Sequence, residues 1–478
     1  MSDALKAGSV KIQEFKLHKA GQEFDILPFL VELSIFEDLF SNAISGTVII
    51  SDGNNLIGSL PIVGGEILNI SITVPSFRNN RIHRAFYVYA IKDRAPSSTD
   101  RQQTYMLCFT TLEAAIDNVT YISKKFSGYP DDIAEEIYND YLAMPQYWSK
   151  YLPMPMGLSR KHSLTQPNND KIQSFVSGAG ASSGMTRLQV ARDFFGSPKN
   201  KVTFLATMWT PFKTLNWLAN RHIEGTNTAP NTFCWQTTQA SYFTSIDTIF
   251  KGQKDVTSRK AYYYGLDDAA INTIVANKSN GVKNAIPLEY SKVETVIIPT
   301  GTDILQSQEH GHYASNMHVF DVVTKKYDEY IFDYASNFDS VEHLHGKKGN
   351  PQPTFPSQQL RNIYSYRTFR PKHKNLFNDY EDPKYEDWVL QRTSMLYDLS
   401  NLKVEITVPG FCNTEAGEVI EFYYPKMGDK PAGSTYEQLI DPYLSGSYLV
   451  TAIRHIITQE KYYMRLELVK ESLATALG

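Results

Sequence analysis

The tightest cluster of potentially reactive spacing in the sequence is Gly180-Ala181-Ser182-Ser183-Gly184, which satisfies the pattern G-x-S-x-G. In that pattern a serine sits on a sharp strand-to-helix turn, its hydroxyl raised toward a base and an oxyanion hole. The order of elements suits it. A strand-like IQSFV precedes it, and a capping box from Thr186 to Gln189 opens a helix after it, with Leu188, Ala191 and Phe195 at helical spacing. The surrounding tract, SGAGASSG from Ser177 to Gly184, is low in complexity, and such a match arises there by chance. No sustained βαβ alternation supplies a parallel sheet beneath the serine. A loop is the expectation, and Ser182 as the nucleophile of a serine hydrolase is the alternative. As a dinucleotide fingerprint the tract also falls short, because Ser183 stands where the third glycine belongs.

Two further groups could do chemistry. Glu309-His310-Gly311-His312, followed by His318, places two imidazoles on one face if the segment is a strand, and a metal could use that. No HExxH or other zinc spacing accompanies them, so surface or interface histidines are expected; His343 and His345 pose the same question more weakly. The acid pairs Glu37-Asp38, Asp131-Asp132 and Glu135-Glu136 could supply the two carboxylates of a glycosidase. The first pair lies near a strand end and the others open or solvate a helix. Trp209 and Trp217 read as core anchors rather than sugar platforms. No catalytic, cofactor-binding or metal-binding residue is assigned, and the expectation is a protein that is not an enzyme and needs no cofactor.

What must position any such residues is a long, mainly β chain. Its 478 residues exceed one core and suggest roughly three domains. Aromatic residues reach 13%, with 30 Tyr and 25 Phe, as expected of β-rich folds and broad interfaces. The net charge of −4 argues against a surface built to grip DNA or anionic membrane. Cys108, Cys234 and Cys412 lie far apart, so a disulfide framework is not expected and Cys108, within MLCFT, reads as a buried thiol. The start MSDALKAGSV lacks a signal-peptide pattern and no apolar run reaches the length of a membrane span, so a soluble protein made in the cytoplasm is expected.

Strand and turn signals fill residues 10–118. Pro130-Asp131-Asp132 then opens a helix carrying Ile133, Ile137, Tyr138 and Tyr141 on one face. Residues 143–185 lose regularity. A second helix starts at Thr210-Pro211, as N-cap and N1, and Gly225 is expected to stop it. CWQTTQASYFTSIDTIF reads as a hairpin followed by a short terminal turn. Residues 340–385, rich in Pro, Asn, His and Lys, read as a connecting or contact segment.

The organising feature is a repeat. GGEILNISITVP, FYVYAIKDR and QQTYMLCFTTLE near the start are echoed by AGEVIEFYYP, YLVTAIRHI and QEKYYMRLELVKES near the end. Val-x-Ala-Ile-basic recurs without a gap, at Val88 to Lys92 and at Val450 to Arg454. Two copies of one β module per chain let three chains build a pseudo-sixfold ring. The expected architecture is mainly β with an α+β middle: two similar small β-barrel modules at the ends flank mixed α+β domains. The expected divisions are 1–118, a first tube-like barrel; 119–200, helical with an irregular insertion; 201–390, a mixed middle and connecting segment; and 391–478, a second barrel, with strands from about 305–335 as candidates to complete it.

SGTVIISDGNNLIGSLPIVGGEILNISITVP, TPFKTLNWLANRHI with SYFTSIDTIF, EHGHYASNMHVFDVVTKKY and SGSYLVTAIRHIITQEKYYMRLELVKES together resemble the baseplate central hub proteins of T-even-like contractile-tailed bacteriophages, a family related to the hub portion of type VI secretion spike proteins. The resemblance covers about two thirds of the chain and is weakest at 143–185 and 345–390. It implies a structural homotrimer in the virion tail baseplate, assembled in the host cytoplasm. Its ring would adapt the sixfold tail tube to a trimeric cell-puncturing spike, contact tape measure and other baseplate proteins, and leave a channel through which DNA passes without specific binding. A hub of a contractile secretion or injection system is the other implied reading. A chain that stops at Gly478 without a needle favours a separate spike protein and a phage tail.

Overall fold

The computed structural model describes residues 6–142 except 20, 60–61, 78–79 and 97–101; 200–254 except 225–228; 258–348 except 278–282, 285, 300–302 and 322–323; 366–372; and 386–475 except 387, 400–401 and 429–435. Ser182 and its tract, the capping box at Thr186, and most of the segments 143–185 and 345–390 lie outside the described residues.

Seven strands come from the first quarter of the chain: β1 (Lys11–Lys19), β2 (Gln22–Asp25), β3 (Leu30–Asp38), β4 (Ser45–Asp52), β5 (Ile67–Thr73), β6 (Arg81–Pro96) and β7 (Gln103–Thr111). Period-two alternation makes them strands. In β4, Gly46, Val48 and Ile50 are buried while Thr47 and Ile49 are half-buried on the other face. At Gly46 the sheet admits no side chain, because a Cβ would lie inside the Phe109 ring and against the Ser34 carbonyl.

Next come β8 (Ile122–Gly128), β9 (Val202–Trp209), and the hairpin β10 (Thr232–Gln236) and β11 (Ser241–Ser245), which runs directly into the helix Ile246–Lys254. The antiparallel pair β8·β9 packs with the helices Pro130–Ile137 and Pro211–Ala219 around Phe126, Phe204, Leu215 and Leu218. The acids that open the first helix suit its N-terminal dipole. Thr210 caps the second, its hydroxyl accepting from the Lys213 amide, with Pro211 at N1. That helix ends at Ala219 rather than at Gly225, since Asn220 and Arg221 already close its last turn with amides to Asn216 and Leu218.

The remaining strands are β12 (Ser258–Arg259), β13 (Ala261–Tyr263), β14 (Lys283–Asn284), β15 (Thr295–Ile297), β16 (Ala314–Asp321), β17 (Tyr327–Asp333), β18 (Lys347–Lys348), β19 (Tyr366–Lys372), β20 (Leu402–Pro409), β21 (Val419–Tyr423), β22 (Gly446–Ile457), β23 (Tyr462–Lys470) and β24 (Ser472–Leu473). Strands β16 and β17 do not complete the second module as expected from 305–335. They form a sheet of their own in the order β17-β16-β19. Seven consecutive antiparallel pairs join β16 to β17, and its other edge takes β19, so neither edge of β16 is left for the module.

One large sheet joins the two ends of the chain. Thirteen strands take part, with the path β15-β20-β23-β22-β3-β4-β7-β6-β5-β1-β2, while β21 and β13 branch from β22. Residues of both ends, from Phe15 to Phe109 and from Val404 to Leu468, share a single apolar core. The protein is mainly β, with most pairings antiparallel.

Candidate assembly surface

The repeated motif builds the same device twice. In the β6·β7 pair the register slips between Val88 and Ala90, and in β22·β23 it slips between Val450 and Ala452. Each slip is a bulge that leaves one residue, Tyr89 or Thr451, without an opposite number. Upstream, a glycine and a glutamate clasp the valine from the neighbouring strand. Gly65 N–H donates to the Val88 carbonyl at 2.8 Å and Val88 N–H to Glu66 at 2.9 Å; Gly417, Val450 and Glu418 repeat both bonds at 2.8 Å. Both glycines hold the same left-handed backbone, φ 92° and 91°, which is why the pattern needs glycine at that position. Even the carboxylates are neutralised alike, Glu66 by Lys19 at 3.0 Å and Glu418 by Lys260 at 2.6 Å.

The correspondence extends across four strands. The row Leu33, Val48, Leu107, Ile91 crosses β3, β4, β7 and β6, and the row Val296, Ile406, Leu466, Ile453 crosses β15, β20, β23 and β22. Strand β15 is therefore the counterpart of β3, and β6 of β22.

At β22 the sheet forks. Its first half pairs with β21 through Leu449, and its second half, Ala452 to Ile457, pairs with β3 through Asp38 to Leu33. This is the seam between the two modules, and Glu37 cements it. The Glu37 carboxylate, fully buried, accepts from the Thr238 amide at 2.6 Å and the Ala416 amide at 3.1 Å, with His455 Nε2 3.4 Å away. Burial opposes its charge, but His455 and the two amides together hold its pKa below the ordinary carboxylate value. The tip of the β10–β11 hairpin thus reaches both modules, and Trp235 anchors it by donating to the Ala416 carbonyl at 3.0 Å.

The equivalent half of β6 has no such neighbour. Its pairing with β5 ends at Tyr87, and among the described residues no strand joins β6 beyond that point on the side away from β7. Tyr89 is 52% exposed where Thr451 is 1% exposed, and Lys92 to Pro96 are exposed where His455 and Ile457 are buried. The outer edge of β15 is also unpaired among the described residues, with Ile297 and Ile298 exposed.

The residues singled out for chemistry are dispersed. His310 ends the helix Ile304–Glu309 and stacks on Tyr397, His312 lies in the following turn and donates from Nδ1 to the Ser394 carbonyl at 3.0 Å, and His318 is on β16 beside Tyr327. They do not form a strand face, because the helix ends at His310 and a turn through Gly311, at φ 78°, separates it from β16. Glu37 serves the seam, Asp38 caps the Phe40 amide, and Glu136 pairs with Lys124. Trp209 and Trp217 flank Phe204 in the β8·β9 core. All three cysteines are free, with Cys108 and Cys412 buried, and burial pushes the Cys234 and Cys412 thiols up to about 12.

One titratable cluster escaped the sequence reading. His343, Asp398 and Glu471 bring ligand-type atoms within 4.8 Å of one another. His343 Nδ1 lies 3.1 Å from Glu471 and its Nε2 2.8 Å from the Phe338 carbonyl, while the Tyr334 hydroxyl donates to Asp398 at 2.9 Å. Burial, and then the Glu471 charge, push Asp398 well above its ordinary value, and its Oδ1 lies 3.7 Å from His312 Nε2. Burial lowers His312 to about 4. The His343–Glu471 pair and the Tyr334 bond to Asp398 form a buried brace, beside which His312 Nε2 and Asp398 Oδ1 face each other without a hydrogen bond. No local spacing could have announced it, since its members are 55 to 128 positions apart in sequence.

No protein-family model matches the chain, and no curated protein does. Solved structures do. A tail protein from Neisseria meningitidis is similar at 10% identity, covering 98% of this chain and 99% of its own, with a TM-score of 0.46. A 43 kDa tail protein of prophage MuSo2 from Shewanella oneidensis is similar at 10% identity, over 96% and 98%, with a TM-score of 0.45. An E. coli type VI secretion component, described as structurally similar to the T4 bacteriophage tail proteins gp27 and gp5, is similar at 8% identity, over 97% and 77%, with a TM-score of 0.29. Among the described residues no helix is long and apolar enough to cross a membrane.

Proposed function

We propose that this chain is a structural hub of a contractile phage tail baseplate. Three copies would close a ring of six tube-like β modules, matching the sixfold tail tube on one face and a threefold cell-puncturing spike on the other. The observation that carries this is the doubled bulge-and-glycine device, set side by side in one sheet across the β3·β22 seam. A chain that packs two copies of one module edge to edge repeats that step by adding further chains, and a ring is the closed solution. The net charge of −4 suits a lumen through which DNA passes, because clustered cations would retain phosphates. The buried brace and the scattered histidines are structural, which agrees with a part that carries load rather than turns over a substrate.

Light scattering of the purified full-length chain, with negative-stain images of the same peak, tests this. Annular particles of three chains with a central hole are expected, and addition of candidate spike protein should give a complex of three spikes per ring. A monomer at every concentration, unchanged by spike or tube protein, would sink the reading.

A further inference from the structure

From the sheet's two unfilled edges we infer the contact that links one copy to the next: the outer edge of β15 in one chain adds, antiparallel, to the distal half of β6 in its neighbour. The inference rests on the trimeric reading above and says which strands make it.

The chain itself supplies the template. In the seam, β3 lies against Ala452 to Ile457 of β22, with Leu33, Ser34 and Ile35 all buried. Strand β15 holds the position of β3 in the second module, since Val296 faces Ile406 as Leu33 faces Val48. Yet Ile297 is 47% and Ile298 42% exposed, the values of an apolar edge strand that lacks its mate. The matching edge of β6 runs from Ala90 to Ala95, beyond the last β5 partner at Tyr87. Open edges of this kind pair with another strand when one is offered, main chain to main chain. Because the two edges differ, the contact is head-to-tail, and such contacts either close into a ring or run on as a filament. The rotation relating the two modules within a chain decides which, and a sixth of a turn per module closes at three chains.

Transferring the seam register gives one contact pair. Ser34 faces Ile456 in the seam; its counterpart Ile297 would face Arg94. Strand β6 carries a second irregularity between Lys92 and Ala95, with Asp93 at φ 53°, that β22 lacks. The equivalence is therefore one of edge and direction, and the register is read at neighbouring positions too.

Full-length chains carrying Arg94→Cys alone, Ile297→Cys alone, or both, test the contact by oxidation and non-reducing electrophoresis. Each single variant should stay as single chains, the mixture of the two should give covalent dimers, and the double variant should give two- and three-chain species and nothing larger. The same series with Lys92→Cys or Ala95→Cys in place of Arg94→Cys covers the register. A native mass of three chains with no cross-link at any of the three pairs overturns the contact and leaves the trimer standing. A native protein that is monomeric throughout overturns both. Ile297→Lys, at an exposed position, is the check against misfolding: it should retain its circular dichroism and shift the trimer to monomer, at least tenfold in the concentration of half-assembly. An unshifted trimer overturns the contact.

Discussion

Thr451 and Tyr89 occupy the same bulge in the two halves of the large sheet, and their surroundings differ. Thr451 is 1% exposed and its carbonyl accepts the Leu39 amide at 2.8 Å, just past the end of β3; Tyr89 is 52% exposed. The local code is the same in both places: Gly-Glu on one strand, Val-x-Ala-Ile-basic on the next, and a slip in register. What differs is whether another strand arrives. Local sequence therefore sets the shape of each module, and the identity of its neighbour is set from outside it. The second module receives β3 from within the chain, whereas the first presents its edge.

Removing the seam's central charge is the strongest way to separate the halves. Glu37→Ala leaves the Thr238 and Ala416 amides and His455 facing a void, and breaking a buried set of this kind costs about 3–5 kcal/mol. Glu37→Gln keeps one acceptor and should cost about 1–3 kcal/mol. Urea unfolding measures both, and a Glu37→Ala midpoint equal to wild type would show that the seam does not depend on this contact.

A half-buried carboxylate behind the same seam should set the pH dependence. Burial first, with the Glu37 charge beside it, raises Glu415 to about 7, while the Tyr242 and Thr237 hydroxyls bond it. The folded chain then holds this proton up to about pH 7 where the unfolded chain releases it near 4.5. The folded state binds more protons across that window, so stability is intact below it and declines as pH rises through it, on the order of 2–3 kcal/mol from this group. Asp247, raised to about 6 mainly by burial, adds a decline of the same sign. Glu37 runs the other way. Its pKa is lowered, so its contribution is present above the ordinary carboxylate value and is lost as pH falls from there through its lowered folded value. Unfolding midpoints measured in steps from pH 4.5 to 7.5 should fall less steeply in Glu415→Gln than in wild type, and equal slopes would remove Glu415 as the cause.

The paired glycines offer a finer comparison. Alanine at either is strained, because both sit near φ 91–92°, and such strain costs of order 1–3 kcal/mol. A Cβ at Gly65 would meet only the Tyr87 hydroxyl at 3.6 Å, whereas one at Gly417 would lie 2.7 Å from the Trp235 ring. Gly417→Ala should therefore exceed Gly65→Ala by about 1–3 kcal/mol, the added cost of overpacking. Equal losses would mean that Trp235 gives way without cost.

How much of this was legible follows the same division. The repeated strands, the hairpin at 232–245, the Thr210-Pro211 helix start and the buried Cys108 were readable because each is written in residues a few positions apart. Glu37 read as an ordinary acid near a strand end, and it does end a strand, but its burial depends on Thr238, Ala416 and His455, which lie 201 to 418 positions away. Strands β16 and β17 were misplaced for the same reason: their alternation marks them as strands, and nothing in it names β19 as their neighbour. The brace of His343, Asp398 and Glu471 was invisible, since only packing of a loop, a helix and the end of β23 brings it together.

The smallest expected effect discriminates best. Arg454 and Lys92 close the same motif. Arg454 crosses the seam to bond Glu32 at 3.0 Å and the Ser34 hydroxyl at 3.2 Å, and it is still 41% exposed, so solvent screening limits its worth to about 0.5–1 kcal/mol. Lys92 lies on the open edge, and in a dissociated chain Lys92→Ala should change stability by no more than about 0.5 kcal/mol. If the neighbouring copy fills that edge as β3 fills its counterpart, the effects should cross over. Arg454→Ala would lower the unfolding midpoint of the chain and leave the concentration of half-assembly alone. Lys92→Ala would leave the midpoint of the dissociated chain alone and raise the concentration of half-assembly a few-fold. Unfolding at dilutions below assembly, paired with sedimentation across a concentration series, reads both. Two variants that behave alike in both assays would mean that the edges of β6 and β22, identical in code, are not filled by equivalent strands.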